Sequence, residues 1–200
     1  GSETDNSTLA SFDGDNRQSM ALDSLTGQAA IDQELSPIGC TRVFWNDNAQ
    51  AKLVGRNADW FAAVDPKGAS RPRLLVMPKG LRKSGANFGD QVVVSENPAQ
   101  WRSRYGSLVV SNVDKVVFEG MNEKGLAAHN LSLGISDYGP RDTAKMGLQM
   151  GLSVPYILDN ASTVDEAVSL IANIQLVQVN VDKYPLRVSL VIEDKSGDSA

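Results

Sequence analysis

The residues that build disulfides and metal centres are almost missing from this chain: its 200 residues include one cysteine, Cys40, and one histidine, His129. A single thiol excludes an intramolecular disulfide and any zinc site made of several cysteines, and it leaves the redox compartment open. Positive charge is neither abundant nor concentrated. Lys and Arg number 19 against 24 Asp and Glu, for a net charge of -5. The basic residues are scattered, with no run to neutralise phosphates, so nucleic acid is excluded as the main partner. No stretch approaches the roughly 18 apolar residues of a membrane span, and no membrane partner is expected.

What is present suits one globular domain with a tail: 42% hydrophobic and 22% charged residues. The chain opens Gly-Ser rather than Met, which reads as an expression scar or a processed terminus. Residues 1–39 are rich in Ser, Asp, Asn and Gly and poor in aromatics. Such a segment buries too little apolar surface to offset the entropy of ordering, so it reads as a mobile arm or propeptide with one weak helix from Met20 to Leu35. Residues 40–200 form the folded domain.

From Cys40 the pattern is strand-like. Thr41–Trp45 and Ala51–Asn57, joined through Asn46-Asp47-Asn48, read as a hairpin. Further strands are expected at Leu74–Met77, Gln91–Val94, Leu108–Ser111 and Val116–Glu119. The last turns through Asn122-Glu123-Lys124-Gly125 into Leu126–Leu133. Residues 66–89 read mostly as loop around one strand. Lys145–Asn160 reads as a helix kinked or ended by Pro155, with its methionines in the core. Thr163-Val164-Asp165-Glu166 is a capping box ahead of an apolar helix face. Strands Leu176–Val181 and Leu186–Glu193 follow, then a hairpin turn at residues 194–198 with two residues after it. A turn without its returning strand reads as part of a longer polypeptide.

Cys40 is the candidate nucleophile. A free thiol titrates near pH 8.5, so it needs a base or a positive environment to react at neutral pH. His129 is one candidate base. A second needs no histidine: a cysteine at a chain terminus carries an α-amine of pKa about 7.7 to 8.0 beside its own sulfur, and that amine can take the thiol proton. Scission between Gly39 and Cys40 would expose it.

Three segments, Cys40-Thr41-Arg42, Arg56-Asn57-Ala58-Asp59-Trp60 and Gly120-Met121-Asn122-Glu123-Lys124-Gly125-Leu126, together resemble the choloylglycine hydrolases. These are N-terminal-nucleophile (Ntn) amidases that include penicillin V acylases and bile salt hydrolases. The resemblance runs from Cys40 to the end. It implies an α+β fold, a four-layer αββα sandwich of the Ntn-hydrolase type, incomplete in this chain. By position it makes Cys40 the nucleophile, Arg56 a thiolate-favouring neighbour, and Asp59 the hydrogen-bond partner of the freed amine. One oxyanion donor is implied near Ser132. A later asparagine and arginine of the family have no counterpart up to Ala200. Losing one oxyanion donor costs about a hundred- to a thousandfold in rate, so this chain alone is expected to be a poor catalyst.

The resemblance further implies hydrolysis of a linear C–N amide bond in a small N-acyl compound through a thioester. Penicillin V, conjugated bile salts and N-acyl homoserine lactones all remain open as substrates. Ala58, where a larger apolar residue is common, and Ser132 bear on that choice, and Trp60 adjoins the site. No metal or organic cofactor is required, because nucleophile and base share one residue. A homo-oligomer, often a tetramer, is implied only by resemblance. The competing readings are an uncleaved or truncated inactive form, a non-catalytic binding protein on the same fold, and a Cys-His hydrolase using His129. His129 itself reads as structural, Asn122–Gly125 as a fold-defining turn, and Trp45 and Trp101 as packing. Arg56 and Asp59, three apart in a strand, point to opposite faces unless the strand ends or bulges near Ala58.

Overall fold

The computed structural model describes residues 39–58, 72–112, 116–181 and 184–200. The arm with its weak helix, and Asp59 and Trp60, lie outside these described residues. Cys40–Trp45 (β1) and Leu53–Ala58 (β2) form the expected hairpin, antiparallel, with Cys40 opposite Ala58 and Arg42 opposite Arg56. Arg73–Met77 (β3) is followed by four short strands: Arg82–Ser84 (β4), Asn87–Phe88 (β5), Gln91–Val92 (β6) and Gln100–Arg102 (β7). Ser107–Asn112 (β8), Val116–Asn122 (β9) and Leu126–Ser132 (β10) then run as a meander.

Met146–Gln149 (β11) leads through a single 3-10 turn into the helices Ser153–Asn160 (α1) and Val164–Ile171 (α2). Ile174–Val177 (β12), Asn180–Val181 (β13), Tyr184–Pro185 (β14) and Val188–Asp194 (β15) complete the order.

The central layer is a five-stranded antiparallel sheet in the order β15-β10-β9-β8-β3. Alternation along its strands decides what each face does. Val109, Leu126, Ala128 and Ile192 point one way and close a core with Val154, Ile157 and Leu158 of α1 and Val164 and Ala167 of α2. Helix and sheet approach closely at Gly120, where an added Cβ would lie 2.7 Å from the Leu108 carbonyl oxygen and 2.9 Å from Leu158 Cδ1. The opposite face carries Glu119, Met121, Ala127, His129 and Glu193, and the β1–β2 hairpin lies over it. The layers therefore run helices, sheet, hairpin. The sheet's far side on this face leaves Leu74, Val76 and Leu108 exposed.

Several expectations need correction. Lys145–Asn160 is not one helix. Met146, Leu148, Met150 and Leu152 recur every second residue, which is strand spacing, and β11 pairs in parallel with β12. Pro155 neither kinks nor ends α1. It is the third residue of that helix, where a missing N–H breaks no intrahelical bond. The capping box is displaced by one residue: Thr163 accepts from the Glu166 N–H, but the Glu166 carboxylate reaches the N–H and hydroxyl of Ser162 at 2.7 and 2.8 Å. Asp194 supplies a second cap, accepting from the Val164 N–H at 3.0 Å. Leu176–Val181 divides into β12 and β13, which pair with different partners. The turn after β15 does begin a return: Ile192 and Ala200 exchange two backbone hydrogen bonds, each 2.9 Å long.

The Asn122–Gly125 turn is structural, as expected. Asn122 is buried, and its amide donates to the carbonyls of Leu158 and Ala161 at the end of α1. Its side-chain oxygen accepts from the N–H groups of Lys124 and Leu126. Gly125, at φ +83°, supplies the left-handed residue that the turn requires.

Candidate active site

The hairpin presents Cys40, Arg42 and Phe44 from β1, and Val54 and Arg56 from β2, as its less exposed positions. Arg42 and Arg56 are directly opposed, so two guanidinium groups share one face of a two-stranded ribbon. Like charges placed so repel unless each is separately neutralised. The sheet below supplies one carboxylate to each. Arg42 Nη2 donates to Glu193 Oε2, and Arg56 Nε lies 3.3 Å from Glu119 Oε2. Between the two carboxylates stands His129, with Nε2 2.6 Å from Glu193 Oε1 and Nδ1 3.3 Å from Glu119 Oε2.

The chain of contacts ends on the thiol, where Arg56 Nη2 donates to Cys40 Sγ at 3.4 Å. Arg56 Nη1 is 3.5 Å from the carbonyl oxygen of Phe118. That residue is the extra one in a β-bulge, since Ser111 pairs with Val117 and Val110 with Glu119. The bulge kinks β9 where the guanidinium rests.

Burial makes these contacts matter. Glu193 is 3% exposed and His129 6%. Burial pushes the His129 imidazole down, but its hydrogen bonds to Glu119 and Glu193 outweigh that and hold it above the ordinary 6.5. Burial likewise pushes Glu119 up, and the His129 hydrogen bond and the Arg56 charge outweigh it, holding the carboxyl below 4.5. A raised histidine contributes stability that is complete below its unfolded value and is lost as pH rises through the folded one. A lowered carboxyl contributes above its unfolded value, and that contribution is lost as pH falls through the folded one. Stability from this cluster is therefore expected to be greatest between about 4.5 and 6.5. Urea midpoints measured against pH check this: His129→Gln should flatten the decline on the alkaline side.

A cleft of about 1110 Å³ separates hairpin from sheet, lined by Phe44, Val54 and Arg56 above and Met121, Ala127 and His129 below. Cys40 is not among its lining residues. Arg56 bridges the two, facing Glu119 in the cleft and the sulfur beyond it.

Of the residues singled out in the sequence, Cys40, Arg56 and Ala58 come together, with Ala58 directly across the ladder from Cys40. Gly39, before the thiol, is exposed. Ser132 ends β10, and the pleat turns its side chain to the face of Ala128 and Asn130, away from the cleft. Its backbone is placed differently. Leu133 N–H donates to the Arg187 carbonyl on the β15 side, so alternation aims the Ser132 N–H toward β9. There β9 pairs with β10 only from Ala127 to His129.

Sequence reasoning passed over Glu119 and Glu193, and it set His129 aside as structural. Their signal was a charged or titratable residue, three times over, on a face that alternation assigns to the interior. Both ring nitrogens of His129 are taken up by carboxylates, so neither is free to serve the sulfur as a base.

Comparison with known proteins gives this geometry its context. The family described as linear amide C–N hydrolases, choloylglycine hydrolase family, matches residues 40–200. A penicillin V acylase of Pectobacterium atrosepticum is 34% identical over 176 residues, covering 82% of this chain and 43% of the relative. The solved structure of a penicillin V acylase from Agrobacterium tumefaciens superposes with a TM-score of 0.63 at 30% identity, over 79% of this chain and 44% of that one. A conjugated bile acid hydrolase from Clostridium perfringens, at 19% identity, shares the fold with a TM-score of 0.57 over 80% of this chain and 46% of that one. This chain thus spans less than half the length of the relatives it matches. The layered helices, sheet and hairpin are those of the αββα Ntn-hydrolase fold, and the chain belongs to the choloylglycine hydrolase family of linear amide C–N hydrolases.

Proposed function

We propose that this chain carries the nucleophilic half of an amidase site, with Cys40 as an N-terminal nucleophile acting on a small N-acyl amide. One observation supports this above the others: the buried Arg56 guanidinium donates to the only thiol in the chain. A cation held there stabilises thiolate over thiol. The exposed Gly39 leaves the Gly39–Cys40 peptide bond accessible for the scission that frees the Cys40 α-amine.

The reaction then runs as follows. The amine takes the thiol proton, and the sulfur attacks the amide carbonyl carbon to give a tetrahedral oxyanion. That oxyanion collapses to a thioester, the leaving amine departing with the proton from the α-ammonium. Water, deprotonated by the same amine, attacks the thioester and releases acid and thiolate. The Ser132 N–H, turned toward β9 past the last β9–β10 pair, suits one oxyanion donor. Asp59 is assigned to orienting the amine, and Ala58 and Trp60 to the acyl pocket, on the family resemblance. The relatives at 30% identity or more are named penicillin V acylases, so a phenoxyacetyl amide is the first substrate to try, ahead of conjugated bile salts and acyl homoserine lactones.

The Cys-His alternative is disfavoured, because both ring nitrogens of His129 are held by carboxylates and the ring does not touch the sulfur. Chromatographic assay of penicillin V hydrolysis, beside intact mass for loss of residues 1–39, tests the proposal. Product formed by a chain beginning at Cys40 supports it, and hydrolysis by a chain that keeps its arm would refute the terminal-amine mechanism. Arg56→Ala is expected to slow iodoacetamide alkylation of Cys40 near neutral pH by about tenfold, because the cation beside the sulfur is lost. Stopped alkylation followed by mass spectrometry checks this, and an unchanged rate would remove Arg56 from the site.

A further inference from the structure

The five groups behind Cys40 form a continuous line: Arg42, Glu193, His129, Glu119, Arg56. They come from five strands, β1, β15, β10, β9 and then β2 beside β1, and they meet only because the hairpin lies across the sheet. Charge alternates along the line when His129 is protonated. Three cations then face two carboxylates, and a thiolate on Cys40 is the third anion that balances them. With His129 neutral, the two arginines already match the two carboxylates, and a thiolate on the partly buried Cys40 would have no balancing cation left in the line.

Geometry adds a second link. Glu119 Oε2 is shared, 3.3 Å from His129 Nδ1 and 3.3 Å from Arg56 Nε. A guanidinium is a planar fork, so fixing Nε fixes where Nη2 points, and Nη2 points at the sulfur.

We propose that Glu119 and His129 are positioning residues for the nucleophile: Glu119 aims Arg56 at Cys40, and the charge on His129 is coupled through that pair to the charge on the sulfur. This rests on the reading of Cys40 as nucleophile, but it concerns what sets the sulfur's reactivity. The other charged groups near His129 do not replace the line. Lys52 and Lys195 line the same cleft. Asp194 also edges it, but its carboxylate is engaged by the Val164 and Ser196 N–H groups and the Ser196 hydroxyl.

The chain reports on both ends unambiguously, because it has one cysteine and one histidine. Alkylation of the full chain by iodoacetamide, followed by intact mass across pH 5.5 to 10.5, reads Cys40 without any turnover. His129→Asn is expected to slow alkylation about five- to tenfold near pH 6 and to leave it unchanged near pH 10. Glu119→Ala, which frees Arg56 to move, is expected to act in the same direction. A purely structural role would change the rate equally at every pH or change only the melting temperature, and either result overturns the proposal.

Coupling is reciprocal, which gives a measurement on the unmutated sequence. The single histidine Cε1–H resonance, titrated by NMR before and after capping Cys40 with iodoacetamide, is expected to move its midpoint to lower pH once the sulfur cannot carry charge. An unmoved midpoint overturns the coupling even if the variants fail to fold. Loss of amide hydrolysis is not read in either arm, so a failure here is distinct from a failure of the nucleophile assignment, which Cys40→Ala decides.

Discussion

Cys40→Ala is expected to abolish hydrolysis of an N-acyl amide, a loss on the order of a thousandfold or more against the same chain with its thiol intact. The chain has no second thiol to take over. Among the described residues, the line of charges that ends on the sulfur has no other nucleophile at that end: Arg56 contacts Cys40 Sγ and, on its other nitrogens, carboxylate and carbonyl oxygens. Cys40→Ser should fall between the two, since a hydroxyl is a far poorer nucleophile near neutral pH than a thiol with a cation beside it. Chromatography of the released acid measures all three. More than a tenth of the parent rate surviving in Cys40→Ala would place the nucleophile elsewhere. The fold should not suffer, because Cys40 opens its strand and is only partly buried.

The second large effect is on stability. Asn122→Ala removes four hydrogen bonds at once, two donated to Leu158 and Ala161 carbonyls and two accepted from Lys124 and Leu126 N–H groups. Asn122 is 4% exposed, and the Leu126 N–H and Leu158 belong to buried residues, so water does not replace what is lost. Buried polar groups left unpaired cost about 1 to 3 kcal/mol each before relaxation, and a total loss of about 3 kcal/mol is expected. For a domain of this size that lowers the melting temperature by about 6 to 12 °C. Differential scanning calorimetry reads it directly. A loss below about 1 kcal/mol would mean that the turn and the end of α1 are held together by something other than this side chain. Asn122 thus belongs to the fold, although it stands in one of the three segments that carry the family resemblance.

Much of the fold was legible because local chemistry and tertiary contacts agree at those places. The first hairpin follows from Asn46-Asp47-Asn48 between two strand-like runs, and the second from the Asn122–Gly125 turn, whose glycine adopts the positive φ that such turns need. Helix α2 was legible from Thr163 and the apolar spacing behind it. The stretch Met146–Leu152 misled because its methionines and leucines suggest helix by type while their spacing of two is that of a strand. Pairing with β12 makes Met146–Gln149 a strand, and Met150–Leu152 close into the 3-10 turn ahead of α1. Of the shortest strands, β6 falls within the run expected at Gln91–Val94, but β4, β5 and β7 left no mark in the sequence, since runs of two or three residues are too short for any periodicity.

The site divides in the same way. Cys40 and Arg56 are diagonal neighbours across a hairpin, so their proximity follows from a local turn and could be read from spacing. Glu119, His129 and Glu193 could not be read so, because Glu193 lies 151 residues from Arg42 and 64 from His129. Only the layering of hairpin on sheet brings them together. What the sequence did display was their misfit: Glu119 beside Phe118, His129 within Leu-Ala-Ala-His-Asn-Leu, and Glu193 after Val-Ile, each on a strand otherwise rich in apolar residues. A titratable group in such a place needs a partner, and three of them in one domain are a reason to look for a shared one.

The most direct measurement is the acid-quenched mass of the chain during its first turnovers on a phenoxyacetyl amide. The account predicts a single phenoxyacetyl increment, released by hydroxylamine as a thioester is, and located by peptide mapping on Cys40. An increment on any other residue, or sustained hydrolysis after Cys40 has been fully alkylated, would contradict it.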